Sequence, residues 1–247
     1  MKVFRFIGLS DQGLVRSANQ DAYHIDADGR FVIVADGMGG HTGGEQASRV
    51  ATQVIQDYLV KHWDSVEPNS ALLEGAFFHA NQAIVQEQQN HPERAEMGTT
   101  AVVVIFRKRQ PWVAHIGDSR LYRLRSSNLE QITEDHTWVA KAFKFGDITL
   151  EEVKSHPYRH MLSSCLGREE LHKIDVQQLD IQSGDRLLLC SDGLTEELSD
   201  HLITSHIQSN PSVDRAVVAL VKAALANGGR DNITVVIVAI DNLKPSN

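Results

Sequence analysis

Residues 31–45, FVIVADGMGGHTGGE, run from an unbroken apolar stretch through Asp36 into a glycine-rich turn. An apolar run of this length, rich in branched residues and closed by glycine, reads as a buried strand. The strand delivers a carboxylate, Asp36, to its own end. Asp-Gly is ordinary turn chemistry, so one such pair carries little weight. The arrangement recurs, however. VAHIGDSR (113–120) places Asp118 just past an apolar strand, and RLLLCSDGLTEE (186–197) does the same for Asp192. GGRDNITVVIVAI (228–240) reverses the order, with Asp231 just ahead of a strand, and NQDAYHID (19–26) adds Asp21 near the N-terminal strand.

Strands lying side by side bring such carboxylates together along one edge. Two unpaired carboxylates about 4 Å apart repel by roughly 4 kcal/mol at an effective dielectric near 20. A cluster of them calls for cations. Aspartates without neighbouring cysteines select hard, oxygen-loving ions such as Mg²⁺ or Mn²⁺, and Gly37 allows a sharp turn that offers its carbonyl as a further oxygen ligand. The chemistry suggested is two-metal hydrolysis.

The remaining strand-like runs are Val3–Ile7, Thr100–Phe106, Trp112–Ile116 and Leu121–Leu124, with RKRQP (107–111) and SSN (126–128) as turns between neighbours. Three segments have helical character: Gly44 to about His62, Ala71 to Gln89 with its three-to-four apolar spacing, and Ser212 to Asn227, with Ser212 as N-cap and Asn227-Gly228-Gly229 as the stop. Thr149 and Glu152 have capping-box spacing and predict a short helix. Hairpin-connected strands with helices in blocks imply antiparallel sheets covered by helices, an α+β arrangement rather than repeating βαβ units. With no low-complexity linker or fixed-period repeat, one domain over 1–247 is expected.

Composition bounds the function. A formal net charge of −8 argues against a general nucleic-acid binder, and no apolar stretch has the length of a transmembrane helix. The first residues show no secretory apolar region. Cys165 and Cys190 are too few and too far apart for a disulfide framework or a thiolate zinc site, and both read as buried apolar residues in a reducing cytoplasm.

Taken in order, RSANQD (16–21), VADGMGGH (34–41), MGTTAVV (97–103), HIGDSRLYRL (115–124), CSDGLTEEL (190–198) and GGRDNITVVIV (228–238) resemble the motifs of the metal-dependent type-2C protein serine/threonine phosphatases. The resemblance runs from about Gly8 to Ile240 and is strongest to compact bacterial members, including cyanobacterial ones that act on the nitrogen-signalling protein PII. It implies two packed antiparallel sheets flanked by helix pairs, with the metal site at one end of the sandwich. It also implies roles: Asp36 bridges two core metals, the Gly37 carbonyl binds the second, and Asp192 and Asp231 complete the first. Asp118 with Asp192 holds a third, weaker ion, Asp21 acts through metal-bound water, and Arg16 clamps the substrate phosphate. A water bridging two such ions has a lowered pKa and supplies hydroxide for in-line attack on phosphorus, with no phospho-enzyme. The partner implied is a phosphorylated protein, with no nucleic acid or membrane, met by a cytoplasmic monomer.

Two positions depart from animal members of that family, which carry histidine where this chain has Met38 and glutamate where it has Gln20. His41, three residues on, is read either as a general acid facing substrate or as a cap on the turn. The region 135–167, with HTWVAKAFKFGD and HPYRHMLSSCLGRE, resembles the family's mobile flap; it also reads as a surface helix–loop–helix with ordinary packing of Trp138 and Phe143, and the two readings are compatible. His79, His91 and the other histidines lack ligand-like spacing and read as solvated or structural. A cysteine-nucleophile phosphatase is rejected, because neither cysteine sits in a Gly-rich phosphate cradle followed by arginine. Two other functions compete: a catalytically silent phosphoprotein-binding module and a hydrolase of small phosphoesters.

Overall fold

The computed structural model describes residues 2–40, 42–108, 110–171 and 174–242. Two antiparallel sheets face each other. The first has the order β1 (Lys2–Asp11), β11 (Ile233–Asn242), β10 (Arg186–Cys190), β7 (Arg120–Arg125), β8 (Asn128–Gln131). The second has the order β2 (Asp21–Ile25), β3 (Phe31–Met38), β5 (Ala101–Arg107), β6 (Gln110–Ile116), β9 (Asp175–Gln178), with the short β4 (Gly98–Thr99) paired to the end of β3.

The unbroken apolar runs now have a physical reason. Alternate residues of a strand point to opposite faces, and here both faces are covered. Val32 and Val34 of β3, Val102 and Val104 of β5, Leu187 and Leu189 of β10, and Val236 and Val238 of β11 fill the space between the sheets. Their neighbours point outward. Phe31, Ile33, Val103 and Ile105 pack under α1 (Gly43–His62) and α2 (Asn69–Asn90), against Ile55, Leu59, Leu73 and Phe77. On the other side Leu188, Cys190, Val235 and Ile237 pack under α5 (Asp192–Thr195), α6 (Asp200–Ser209) and α7 (Val213–Ala226). The molecule is therefore a helix–sheet–sheet–helix sandwich, α+β as expected.

Local signals behave largely as their chemistry dictates. Thr149 and Glu152 form the full capping box at the start of α4 (Leu150–Ser155). Arg107 pairs with Gln110 where β5 and β6 meet, and Ser126 takes a positive φ in the next hairpin. Ser212 occupies the N-cap position of α7, but its side chain makes no capping bond; its hydroxyl lies 3.3 Å from the Asp214 carboxylate. The 135–167 region contains the surface helix–loop–helix, with Trp138 and Phe143 partly exposed on its first helix. Both lie in α3 (Trp138–Phe145) and are 41% and 45% exposed, with Trp138 against the rings of His156 and Tyr158.

Candidate active site

One end of the sandwich collects the strand-end carboxylates. Asp21 opens β2 and pairs in register with Asp36 near the end of β3. Asp118 follows β6 and Asp192 follows β10, while Asp231 precedes β11. Asp36, Asp118, Asp192 and Asp231 line one cavity of about 610 Å³ together with Arg16, Gln20, Gly37 and His160. The sequence expectation of convergence at one edge is met for all four.

Hydroxyls and amides fix the turns. The Asp36 N–H donates to Thr100 Oγ1 at 2.9 Å, and that hydroxyl lies 2.6 Å from Ser119 Oγ, so one buried pair ties the strand of Asp36 to the turn of Asp118 that follows β6. Ser191 Oγ donates to Asp21 Oδ2 at 2.7 Å and accepts from the Thr234 amide at 3.0 Å. Asn232 accepts the Gln20 N–H at 2.8 Å and donates to the Gln12 and Ala18 carbonyls, holding the loop that carries Arg16. Arg16 Nη2 in turn donates to Asp231 Oδ2 at 2.6 Å. Gly37 accounts for the tightness of the β3–α1 junction: a Cβ there would collide with the Gly44 carbonyl and crowd the Gln20 carbonyl.

The electrostatics are those of carboxylates packed against one another. Burial, then the neighbouring Asp21, Asp192, Asp118 and Asp231, pushes the Asp36 carboxyl well above the usual range. Burial and Asp192 do the same to Asp118. Asp21 is pushed up to about 7, chiefly by burial, although hydrogen bonds from Thr234 and Ser191 oppose the shift. Asp192 is raised to about 6 by burial, Glu196 and Asp231. Asp21 Oδ1 is buried with no hydrogen-bond partner among the described residues, the sort of orphan that a bound water or ion resolves. An all-oxygen donor set with excess negative charge and an orphaned carboxylate oxygen fits hard divalent cations and does not fit a thiolate metal.

Two residues at this site escape sequence reading. His160 lines the cavity, with Nδ1 2.7 Å from Glu196 Oε1 and 3.9 Å from Asp192 Oδ2. Sequence spacing reads the histidines beyond His41 as solvated or structural; His160, and likewise His115 and His136 beside Asp175, nonetheless come close to carboxylates, because the grouping is made in space by residues distant in sequence. Glu196 lay within a recognisable motif, whereas nothing local marks His160. His41 lies outside the described residues. Both thiols are buried and free, and burial pushes Cys190 up to about 12, which agrees with an inert packing role.

Residues 15–228 match the family described as protein phosphatase 2C. The chain belongs to this family. The serine/threonine protein phosphatase PstP of Mycobacterium tuberculosis is 39% identical over 238 residues, covering 95% of this chain and 45% of the relative. The chain thus spans under half the length of that relative. The serine/threonine phosphatase stp of Listeria welshimeri is 34% identical, with 93% of each chain covered. Among solved structures, the PstP/Ppp phosphatase of M. tuberculosis superposes with TM-score 0.86 at 38% identity, over 97% of this chain and 99% of that one. A structure of the PstP catalytic domain in complex with two manganese ions gives TM-score 0.85 at 36% identity, over 98% of this chain and 100% of that one. This protein phosphatase 2C chain therefore shares the two-sheet architecture of its relatives. Among its described residues no helix is long and apolar enough to cross a membrane.

Proposed function

We propose that this chain hydrolyses phosphoserine and phosphothreonine in phosphoprotein substrates, as a metal-dependent phosphatase of bacterial type. The observation that carries this reading is the meeting of Asp36, Asp118, Asp192 and Asp231 with Arg16 in one cavity. Asp36, Asp192, Asp231 and the Gly37 carbonyl would hold two Mg²⁺ or Mn²⁺ ions. Asp118 and Asp192 would hold a weaker third, with Asp21 acting through water. When bound, such ions supply the positive charge that acidifies water and neutralises phosphate oxygens.

The chain's own groups do the rest. Arg16 has one nitrogen engaged by Asp231, and among the described residues the other N–H donors of its fork have no partner, so the ion pair orients the guanidinium without consuming it. Ser191 and Thr234 aim Asp21, and the Thr100–Ser119 pair keeps the Asp36 and Asp118 turns from drifting apart. Such fixed orientation matters because misplacement of a reacting group by about 1 Å can lower the rate ~10²-fold. The 135–167 segment contributes His160 and Leu162 to the cavity and exposes Tyr158 and Met161 beside them, which supports a flap role in choosing substrates. A silent phosphoprotein-binding role is disfavoured by the retention of every aspartate that the chemistry needs.

Phosphate release from a phosphoserine peptide, from free phosphoserine and from phosphorylated PII, each with Mn²⁺ and with chelator, tests the proposal. Metal-dependent turnover of the peptide well above that of free phosphoserine is expected, and PII turnover tests the substrate named by the resemblance. No metal-dependent release from any of the three would overturn the reading. For His41, an unchanged pH–rate profile in His41→Ala would remove the general-acid role.

A further inference from the structure

His136 stands behind the cavity, at the junction of the 135–167 segment with the Asp118 turn. Its ring Nδ1 accepts the Gly117 N–H at 3.2 Å, and its own backbone N–H donates to the Gly117 carbonyl at 3.0 Å. One residue thus holds both polar groups of the glycine immediately before Asp118. Gly117 has φ +99, a conformation that side-chain-bearing residues rarely adopt, and a Cβ there would run into Thr100. Gly117 itself has no side chain to anchor it, so on this side of Asp118 the turn is held through its backbone, while Ser119 Oγ holds the other side through Thr100. His136 also accepts from the Ser163 amide at 2.8 Å, and Thr137 bridges to Leu162, so the two ends of the segment meet at the same residue.

The tautomers follow from the backbone. An amide N–H can only donate, so Nδ1 of His136 is unprotonated and Nε2 carries the hydrogen, directed at Asp175 Oδ2 at 3.2 Å. His115 stacks on this ring with centroids 4.6 Å apart. Its Nε2 faces the Glu134 carbonyl at 2.9 Å and must hold the hydrogen, while burial lowers its pKa and keeps the ring neutral. His115 Nδ1 is then a buried lone pair with no hydrogen-bond partner among the described residues. Ligand atoms of His115, His136 and Asp175 lie within 4.8 Å of one another, a spacing that invites a metal. The hydrogen bonds decide otherwise: both nitrogens of His136 are engaged, and coordination would require breaking its bond to Gly117 or to Asp175.

We propose that His136 is a positioning residue for Asp118: its Nδ1 bond to Gly117 fixes the turn that presents this carboxylate to the cavity, with Asp175 and His115 holding the ring. The inference rests on the reading of Asp118 as a ligand of the weaker third ion. Partners that orient a ligand in this way typically change metal affinity by roughly 10–100-fold when removed.

Calorimetric Mn²⁺ titration of the full chain, with amide exchange at Gly117 in the metal-free protein, tests it across three variants. Asp118→Asn identifies the binding event that depends on that carboxylate. His136→Gln keeps a polar end near Asp175 but supplies no acceptor where Nδ1 stood, whereas the side-chain oxygen of His136→Asn occupies that place. His136→Gln should weaken the Asp118-dependent event roughly tenfold and speed Gly117 exchange, and His136→Asn should restore both. Wild-type affinity and exchange in His136→Gln would overturn the proposal, as would equal impairment in His136→Asn. If His136→Gln does not fold, Gly117 exchange in Asp175→Ala decides: faster exchange supports the clamp, and unchanged exchange overturns it. A wild-type Mn²⁺ profile in Asp118→Asn would sink the ligand role of Asp118 itself, and the inference with it.

Discussion

Arg16 is half exposed, paired with Asp231, and carried by a loop that Asn232 secures. Exposed ion pairs contribute about 0–1 kcal/mol to stability, so the fold does not depend on this one. In the proposed function its contribution belongs to the phosphate. Arg16→Ala should lower kcat/KM for a phosphoserine peptide by roughly 10²-fold, the usual loss for a donor aimed at developing charge. Thermal unfolding should stay near that of the parent. Steady-state kinetics beside a melting curve checks both halves, and a kcat/KM near wild type would remove Arg16 from the site.

At the scale of elements, the β3–α1 junction is the tightest point of the site. Gly37→Ala would drive a methyl into the Gly44 carbonyl, and overpacking of this kind costs about 1–3 kcal/mol. Loss of Mn²⁺ affinity together with a lowered melting temperature is expected; a variant that melts and binds Mn²⁺ like the parent would show that the junction tolerates movement. The legibility of the sequence follows the same geometry. β3, β5, β10 and β11 are interior strands covered on both faces, so they advertise themselves as apolar runs. Apart from the two-residue β4, the strands that pattern reading passes over, β2 (DAYHI), β8 (NLEQ) and β9 (DVQQ), lie at sheet edges, where half-buried backbone tolerates polar side chains and the periodic signal fades. The same holds at the site. Asp36, Asp118, Asp192 and Asp231 are visible because each is attached to a readable strand. His160 is not, since it comes from an irregular stretch and meets Glu196 only in three dimensions.

For the whole molecule, the buried carboxylates make stability depend on pH and on metal. Asp21 at about 7 and Asp192 at about 6 keep protons in the folded state that the unfolded chain, with carboxyls near 3.8, has already released. Because the folded state binds more protons, stability in chelator falls as pH rises from about 4 to about 7. Mn²⁺ near neutral pH should recover the lost stability by binding the folded form alone, and Asp192→Asn should flatten the fall seen in chelator. Melting temperature against pH, with and without Mn²⁺, reads this out; a metal-free protein whose Asp192→Asn variant shows the parental pH slope would contradict it. The central claim is that the strand-end carboxylates act as one metal-dependent hydrolytic site, and Asp36 lies at its middle, raised by all four of its neighbours. The direct measurement is phosphate release from a phosphoserine peptide at saturating Mn²⁺ by the parent and by Asp36→Asn. Losing metal-derived stabilisation worth several kcal/mol predicts a fall of about 10³-fold or more in turnover. Turnover of Asp36→Asn equal to that of the parent would contradict the account.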